Sequence, residues 1–279
     1  MKKILLCSDL DRTILPNGAQ PQSPRALEIL MHLAAREEIT LAYVSGRSET
    51  LLKQAISDYS LPIPDYAIGD VGTTIYEPLE DWRPWHDWAE EIGRDWNCKS
   101  REDLAELFGD LNELTPQEDD KQNTFKLSYY APSSSDPFPL KKTIAARLEE
   151  AEVKASIIWS IDEQKDVGLI DILPSRATKV HAIRFLMEKH EFAHTHTVFA
   201  GDSGNDMEAL TSGLHAVLVK NARDDVRKEA MRIMEESGMG DRLYLARGDF
   251  LGMNGNYCAG VLEGLAHFLP KTRKWMTSD

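Results

Sequence analysis

The chain has 279 residues, 42% of them hydrophobic, enough to bury a substantial core as one large domain or two smaller ones. A formal net charge of -14 argues against nucleic acid or an anionic membrane as the main partner. No apolar run approaches ~18 residues, the N-terminus is too short in apolar residues for a signal peptide, and Cys7, Cys98 and Cys258 are widely spaced, so a cytoplasmic protein with reduced thiols and no membrane span is expected.

Ile4–Cys7 is a short apolar run that reads as a buried strand, and Asp9-Leu10-Asp11-Arg12-Thr13 follows it. Two aspartates at the end of such a strand repel each other unless something positive joins them, and a hard divalent cation is the usual answer. Alone, an acidic turn explains the pair as well. Pro24–Arg36 has a helical pattern, and Thr40–Val44 is a strand candidate that ends at Ser45-Gly46-Arg47. With the helical segment Ser48–Tyr59 behind it, the Ser45 hydroxyl and the helix N–H groups could hold an anion, or Ser45 is a plain cap. Tyr66–Ile68 is the next strand candidate.

From Trp82 to Asp171 the pattern changes to two helical stretches and at least three strands, an α+β insertion in the first domain. Trp82, Trp85 and Trp88 recur every third residue like one helix face, with Pro84 in an opening turn, and are expected with Trp96 to pack cap against core. His86 reads as a surface or packing residue. Phe125–Tyr130 alternates, placing Lys126 on the polar face, and Ala155–Ile161 and Gly168–Leu173 are further strands. Thr115–Asn123 and Ser133-Ser134-Ser135-Asp136-Pro137 read as loops.

Pro174–Lys179 opens a helix running to His190, with Ser175 as candidate cap. Arg176 and Lys179 in a first turn oppose the helix dipole, a conflict that a buried anion would remove. Thr197–Ala200 is a strand ending in Gly201-Asp202-Ser203-Gly204-Asn205-Asp206, with a helix expected over Asn205–Thr211. Asp202 and Asp206 could complete a metal site with Asp9 and Asp11. Four fixed letters match by chance on the order of once per 10⁵ positions. Ala216–Val219, Asp224–Ser237 and Leu243–Ala246 continue the strand and helix alternation, which implies a mostly parallel sheet covered on both faces. After Lys271 a frayed tail is expected.

The ordered set Asp9/Asp11, Ser45, Lys179 and Asp202/Asp206 resembles the haloacid dehalogenase (HAD) superfamily of phosphotransferases. Val71-Gly72-Thr73, Lys126-Leu127-Ser128-Tyr129, Asp171-Ile172-Leu173-Pro174 and Gly260–Phe268 look like its sucrose-phosphate phosphatase branch, which includes mannosylfructose-phosphate phosphatases. The resemblance implies an α/β fold: a Rossmann-like parallel-sheet core, residues 1–81 and 172–279, with an inserted smaller α+β cap domain, residues 82–171, that sets specificity. It implies Asp9 as nucleophile and Asp11 as general acid/base. Mg²⁺ would be held by Asp9, the Asp11 carbonyl, Asp202 and Asp206, the last directly or through water. Phosphate would be bound by Ser45, Gly46, Lys179 and Asn205. From the cap, Lys126 would reach a substrate hydroxyl or phosphate, although by its residue pattern it is a solvent-facing lysine.

The implied activity is Mg²⁺-dependent hydrolysis of a phosphorylated sugar, sucrose 6-phosphate or a related glycosyl phosphate, through an aspartyl phosphate. A hexose phosphomutase and a non-catalytic sugar-phosphate-binding module, as found attached to sugar-phosphate synthases, are the alternatives. Association with such a synthase is a possible partnership. Arg12 stands where many members carry Gly or Asn, and the Gly-rich Arg247–Gly255 stretch has no assigned role.

Overall fold

The structure, a computed structural model, describes residues 3–134, 136–162 and 165–277, so Ser135 of the Ser133–Pro137 loop lies outside the described residues. It has two compact units: one built from the residues up to Pro84 and those from Lys179 onward, the other from Trp85–Thr178.

The larger unit begins with β1 (Ile4–Ser8), α1 (Ala26–Ala34), β2 (Ile39–Val44), α2 (Glu49–Asp58), β3 (Tyr66–Gly69), β4 (Thr74–Glu77) and β5 (Arg83–Pro84). The smaller unit then contributes α3 (His86–Gly93), α4 (Arg101–Glu106), β6 (Thr115–Pro116), β7 (Leu127–Pro132), α5 (Pro137–Glu150), β8 (Ala155–Asp162) and β9 (Val167–Pro174). The chain returns through α6 (Lys179–Lys189), β10 (Thr197–Gly201), α7 (Met207–Leu210), β11 (His215–Leu218), α8 (Asp224–Glu236), β12 (Leu243–Leu245), α9 (Cys258–Phe268) and α10 (Arg273–Met276).

Among the described residues the larger sheet runs β12-β11-β10-β1-β2-β3-β4-β5. It is parallel from β12 to β3, with β4 and β5 added antiparallel. β1 is apolar at nearly every position because both its faces are covered, and all five of its residues are buried. Ile4 and Leu6 belong to a core that also takes Leu41 and Tyr43 of β2, Leu30 and Leu33 of α1, and Leu262 and Leu265 of α9. In α1 the buried Ala26, Ile29, Leu30 and Leu33 keep helical spacing. The strand order reverses at β1, which has β2 on one side and β10 on the other. In open α/β sheets such a switch point leaves a crevice beyond the strand ends, where ligands bind.

α9 is seated on the sheet by its glycines. A Cβ on Gly264 would lie 2.2 Å from Val217 Cγ2, and one on Gly260 would lie 2.3 Å from the Gly255 carbonyl oxygen. Gly264→Ala should therefore cost about 1–3 kcal/mol through overpacking, read as a lowered urea midpoint with unchanged slope. A helix normally gains from Gly→Ala, so a neutral or stabilising result would refute this account of the contact.

In the smaller unit the sheet order is β6-β7-β9-β8, with antiparallel neighbours. Leu127 and Tyr129 of β7 and Ile170 and Ile172 of β9 pack with Leu140, Ile144 and Leu148, spaced four apart on α5. Asp136 accepts a hydrogen bond from the Phe138 N–H (2.9 Å) and starts α5 with Pro137 at its first position. The expected Thr115–Asn123 loop contains the short strand β6 and a 3₁₀ turn at Asp119–Lys121.

Several expectations are corrected. The tryptophans do not share a helix face. Trp82 sits in a turn at φ 59° and meets Tyr76 at 6.0 Å between ring centroids, while Trp85 flanks the start of α3. Only Trp88 lies within α3, where it is buried, and Trp96 is buried in the core of the smaller unit. Pro84 belongs to β5 instead of a helical turn. His86 is exposed and pairs with Glu90 at 3.2 Å. The end of the chain is not frayed as far as it is described: α10 buries Met276, and Trp275 lies under Arg36 at 4.5 Å. Among the described residues no helix is long and apolar enough to cross a membrane.

Candidate active site

Asp9, Ser45 and Asp202 each follow a parallel strand, β1, β2 and β10, at the end where the crevice opens. Asp9 is fixed there by its backbone N–H, which donates to the Ala200 carbonyl at 2.9 Å. A cavity of about 420 Å³ in the larger unit is lined by Asp9, Asp11, Ser45, Gly46, Asp202 and Asn205, with Arg12, Arg47 and Arg223 among its other walls. Thus the structure brings together the acidic pair, the serine loop and the second acidic loop.

Lys179, the first residue of α6, is buried between two carboxylates. Its Nζ donates to Asp9 Oδ1 at 3.0 Å and to Asp206 Oδ1 at 2.7 Å. Burial works to lower the lysine pKa, but the charges of Asp206 and Asp9 outweigh it and hold the pKa above its ordinary value. The conflict with the helix dipole is removed by these two anions. Arg176 settles differently: it precedes α6 and pairs with Asp95 (3.0 Å) and Glu91 (2.8 Å) inside the smaller unit. Ser175 is in the turn after β9 and does not cap α6.

The Gly201–Asp206 loop shapes the acidic cluster. Asp206 is fully buried, and its Oδ2 accepts from the Asp202 and Ser203 N–H groups at 3.1 and 3.3 Å. It closes a capping box with Ser203 at the 3₁₀ turn Gly204–Asp206, which leads into α7. Gly201 is required because a Cβ there would lie 2.7 Å from the Asp206 carboxyl. Asn205 is exposed, with its Oδ1 accepting from Ser203 Oγ at 2.6 Å.

Asp9, Asp202 and Asp206 are all buried, and each offers an oxygen within 4.8 Å of the others. Burial, then the charge of Asp206, push the Asp9 carboxyl up to about 7 against the opposing pull of Lys179. Burial and Asp206 likewise raise Asp202, with Arg12 opposing. Such crowding suits a hard cation with oxygen ligands, and the donor set fits Mg²⁺.

Asp11 is placed apart from this cluster. Arg47 grips its carboxylate with two donors, Nε to Oδ2 at 2.8 Å and Nη2 to Oδ1 at 2.7 Å, and Asn17 Nδ2 adds a third at 2.7 Å. The Arg47 hydrogen bonds hold Asp11 below the usual carboxylate range. Ser45 is buried, and its Oγ accepts from the Arg47 N–H at 3.2 Å. It does not cap α2, since Ser48 occupies the cap position. Gly46 has open space where a Cβ would stand.

Arg12 adopts φ 59°, a left-handed conformation that costs a residue with Cβ about 1–2 kcal/mol. The strained turn is clamped by Asn221, whose Nδ2 donates to the Arg12 carbonyl at 2.7 Å, while its Oδ1 receives the Tyr257 N–H at 2.7 Å. The Arg12 Nε meets Asp202 Oδ2 at 3.1 Å. Sequence reasoning missed Arg47, Asn17 and Asn221. Asn221 had one available signal, its position just beyond the end of β11. The Gly-rich stretch is tied to α9 by Glu263, which accepts the Arg247 and Gly248 N–H groups at 2.8 and 2.9 Å.

Lys126 belongs to the smaller unit. It is not solvent-facing: its side chain is 16% exposed and its Nζ lies 3.8 Å from Asp171 Oδ1. Lys126 just precedes β7, and Ser128 of that strand, opposite Asp171 in register, donates its hydroxyl to the same carboxylate oxygen.

Residues 2–269 match the family model for sucrose-6F-phosphate phosphohydrolase. A protein of Nitrosococcus oceani called a putative HAD-like hydrolase is 57% identical over 276 residues, 99% of this chain and 74% of the relative. Sucrose-phosphatase 1 of Nicotiana tabacum is 29% identical over 80% of this chain, which spans only 52% of that relative's length. A solved sucrose-phosphatase from Synechocystis sp., described as a complex with sucrose and phosphate, superposes with a TM-score of 0.70 at 26% identity, covering 96% of this chain and 98% of that one. With its mostly parallel sheet and an acidic crevice at the switch point, the chain belongs to the sucrose-6F-phosphate phosphohydrolase family of phosphatases, within the HAD-like hydrolases.

Proposed function

We propose that the protein is a Mg²⁺-dependent phosphatase acting on a phosphorylated disaccharide, sucrose 6-phosphate or a close relative, through an aspartyl phosphate on Asp9. The observation that carries this reading is the buried Asp9 carboxylate at the end of β1, shared with Lys179 and flanked by Asp202 and Asp206. Family membership and the sucrose-phosphatase with bound sucrose and phosphate support the substrate class.

Asp9, Asp202 and Asp206, with the Asp11 carbonyl that the family resemblance adds, would hold the cation. Its chemistry would be neutralisation of charge on the transferring phosphoryl group. An Asp9 oxygen attacks phosphorus, the bond from phosphorus to the sugar oxygen breaks, and that oxygen takes a proton from Asp11. Asp11 then takes a proton from water, whose oxygen attacks phosphorus and frees Asp9 and inorganic phosphate. Ser45, the Gly46 amide and Lys179 bind phosphoryl oxygens, with Asn205 beside them.

Asp11 needs a proton for the first step, while the Arg47 hydrogen bonds lower its pKa. An incoming phosphate that drew the guanidinium to itself would let the Asp11 pKa rise when the acid is needed. By the family resemblance the smaller unit is the specificity cap, and Lys126, partly buried beside Asp171, is its candidate sugar contact. Lys126→Ala should then raise KM about tenfold while changing kcat little, since a sugar contact made equally in ground and transition states is lost. An unchanged KM would remove Lys126 from the substrate site.

The direct test is phosphate release from a panel of sugar phosphates with Mg²⁺ and with a chelator. Release from sucrose 6-phosphate or another disaccharide phosphate, stopped by the chelator, is expected. No release from any member of the panel would overturn the reading.

A further inference from the structure

Arg12 combines two features that need a common explanation. It keeps a strained left-handed backbone, and its guanidinium, on a side chain 40% exposed, reaches back to a carboxylate that is only 4% exposed. Asn221 secures that backbone, and Arg12 Nη2 in turn approaches the Asn221 carbonyl at 3.5 Å, so the side chain is aimed at Asp202 from a fixed base. Asp202 Oδ1 has a weak partner in Thr13 Oγ1 at 3.4 Å, which leaves the guanidinium as the main charge on this carboxylate. Lys179 instead serves Asp9 and Asp206. The three-carboxylate cluster is thus balanced by two fixed cations, each with its own share.

We propose that Arg12 sets the metal affinity of the site: it is a built-in counter-ion for Asp202, and a divalent cation must compete with it. The inference rests on the metal site of the phosphatase reading. A cation held by Asp202 shares a carboxylate with a guanidinium, and two like charges on one carboxylate oppose each other. The site therefore binds Mg²⁺ more weakly than its three acidic residues alone would dictate.

The test is calorimetric titration of Mg²⁺ into the whole protein, without substrate, for wild type, Arg12→Gln and Arg12→Asn. The glutamine variant removes charge and keeps a Cβ in the left-handed turn; asparagine removes charge and tolerates that conformation, so one folded variant suffices. Both should bind Mg²⁺ about tenfold more tightly, within the usual range of coupling between two sites. Equal affinity would overturn the proposal. Weaker binding would overturn it too, since it would make Arg12 an aid that orients Asp202 for the metal. Absence of Mg²⁺ binding in all three proteins would overturn it together with the metal reading. Turnover of sugar phosphate is a separate measurement, so the hydrolase reading can stand while this proposal fails.

Discussion

Asp9→Asn should abolish phosphate release and at the same time make the metal-free protein more stable. Loss of turnover follows from removing the attacking oxygen, since an amide cannot form the acyl phosphate. The gain in stability follows from the raised pKa of about 7. A carboxyl whose folded pKa exceeds its unfolded value near 3.9 contributes stability below the unfolded value, and this is lost as pH rises through the folded one. Metal-free wild type should therefore weaken between about pH 4 and 7, by on the order of 1–3 kcal/mol from this group. Asparagine does not ionise, so the variant should lack that part of the slope and melt a few degrees higher near pH 8. Thermal melts of both proteins in chelator across this range are the measurement. A variant that melts lower than wild type at pH 8 would show that Asp9 and Lys179 form a net stabilising pair, and retained turnover would remove Asp9 from its role.

The second large effect is at Lys179. Lys179→Met keeps the length of the stem but leaves Asp9 and Asp206 buried without the cation that joins them. Breaking a buried pair on one side costs about 3–5 kcal/mol, so the metal-free variant should lose that much in urea unfolding. Activity should fall below detection, because the phosphoryl oxygens lose a fixed positive charge. Added Mg²⁺ should restore stability in part and activity not at all: a cation repairs the charge balance, yet cannot replace the ammonium. An undiminished urea midpoint in chelator would mean that the two carboxylates take up protons at little cost.

How far the sequence was legible depended on what surrounds each element. β1, β2, β3, β10 and β11 are covered on both faces, so they read as continuous apolar runs. β5 is two exposed residues at the sheet edge, Arg83 and Pro84, and carries no such pattern. α9 was noticed only as a distinctive string, because Gly260 and Gly264 weaken its helical signature for the sake of close packing, Gly264 on Val217 of β11 and Gly260 on the Gly255 carbonyl. The tryptophan spacing misled since a three-residue period is compatible with a helix but does not make one across Pro84.

In the site, the residues that end strands were readable, because strand ends are where chemistry collects in this class of fold. Their partners were not. An arginine in a loop is ordinary until folding brings Arg47 to Asp11, or Arg12 to Asp202. Lys126 shows the same limit: alternation placed it on the polar side of an expected Phe125–Tyr130 strand, whereas it precedes β7, and only the register with β9 reveals Asp171 across from Ser128 and within reach of it.

The pairing of β1 with β10 has a consequence for how the molecule is made. Leu5 lies against Thr197 and Ser8 against Ala200, so the middle of the sheet joins stretches of chain far apart in the sequence. During synthesis β1 can pair at first only with β2, and its other edge waits until the whole smaller unit has left the ribosome. That unit is continuous in sequence and can fold while the chain is still growing. The exposed edge of β1 is then the point at which a nascent chain is open to pairing with another, until β10 arrives to close it.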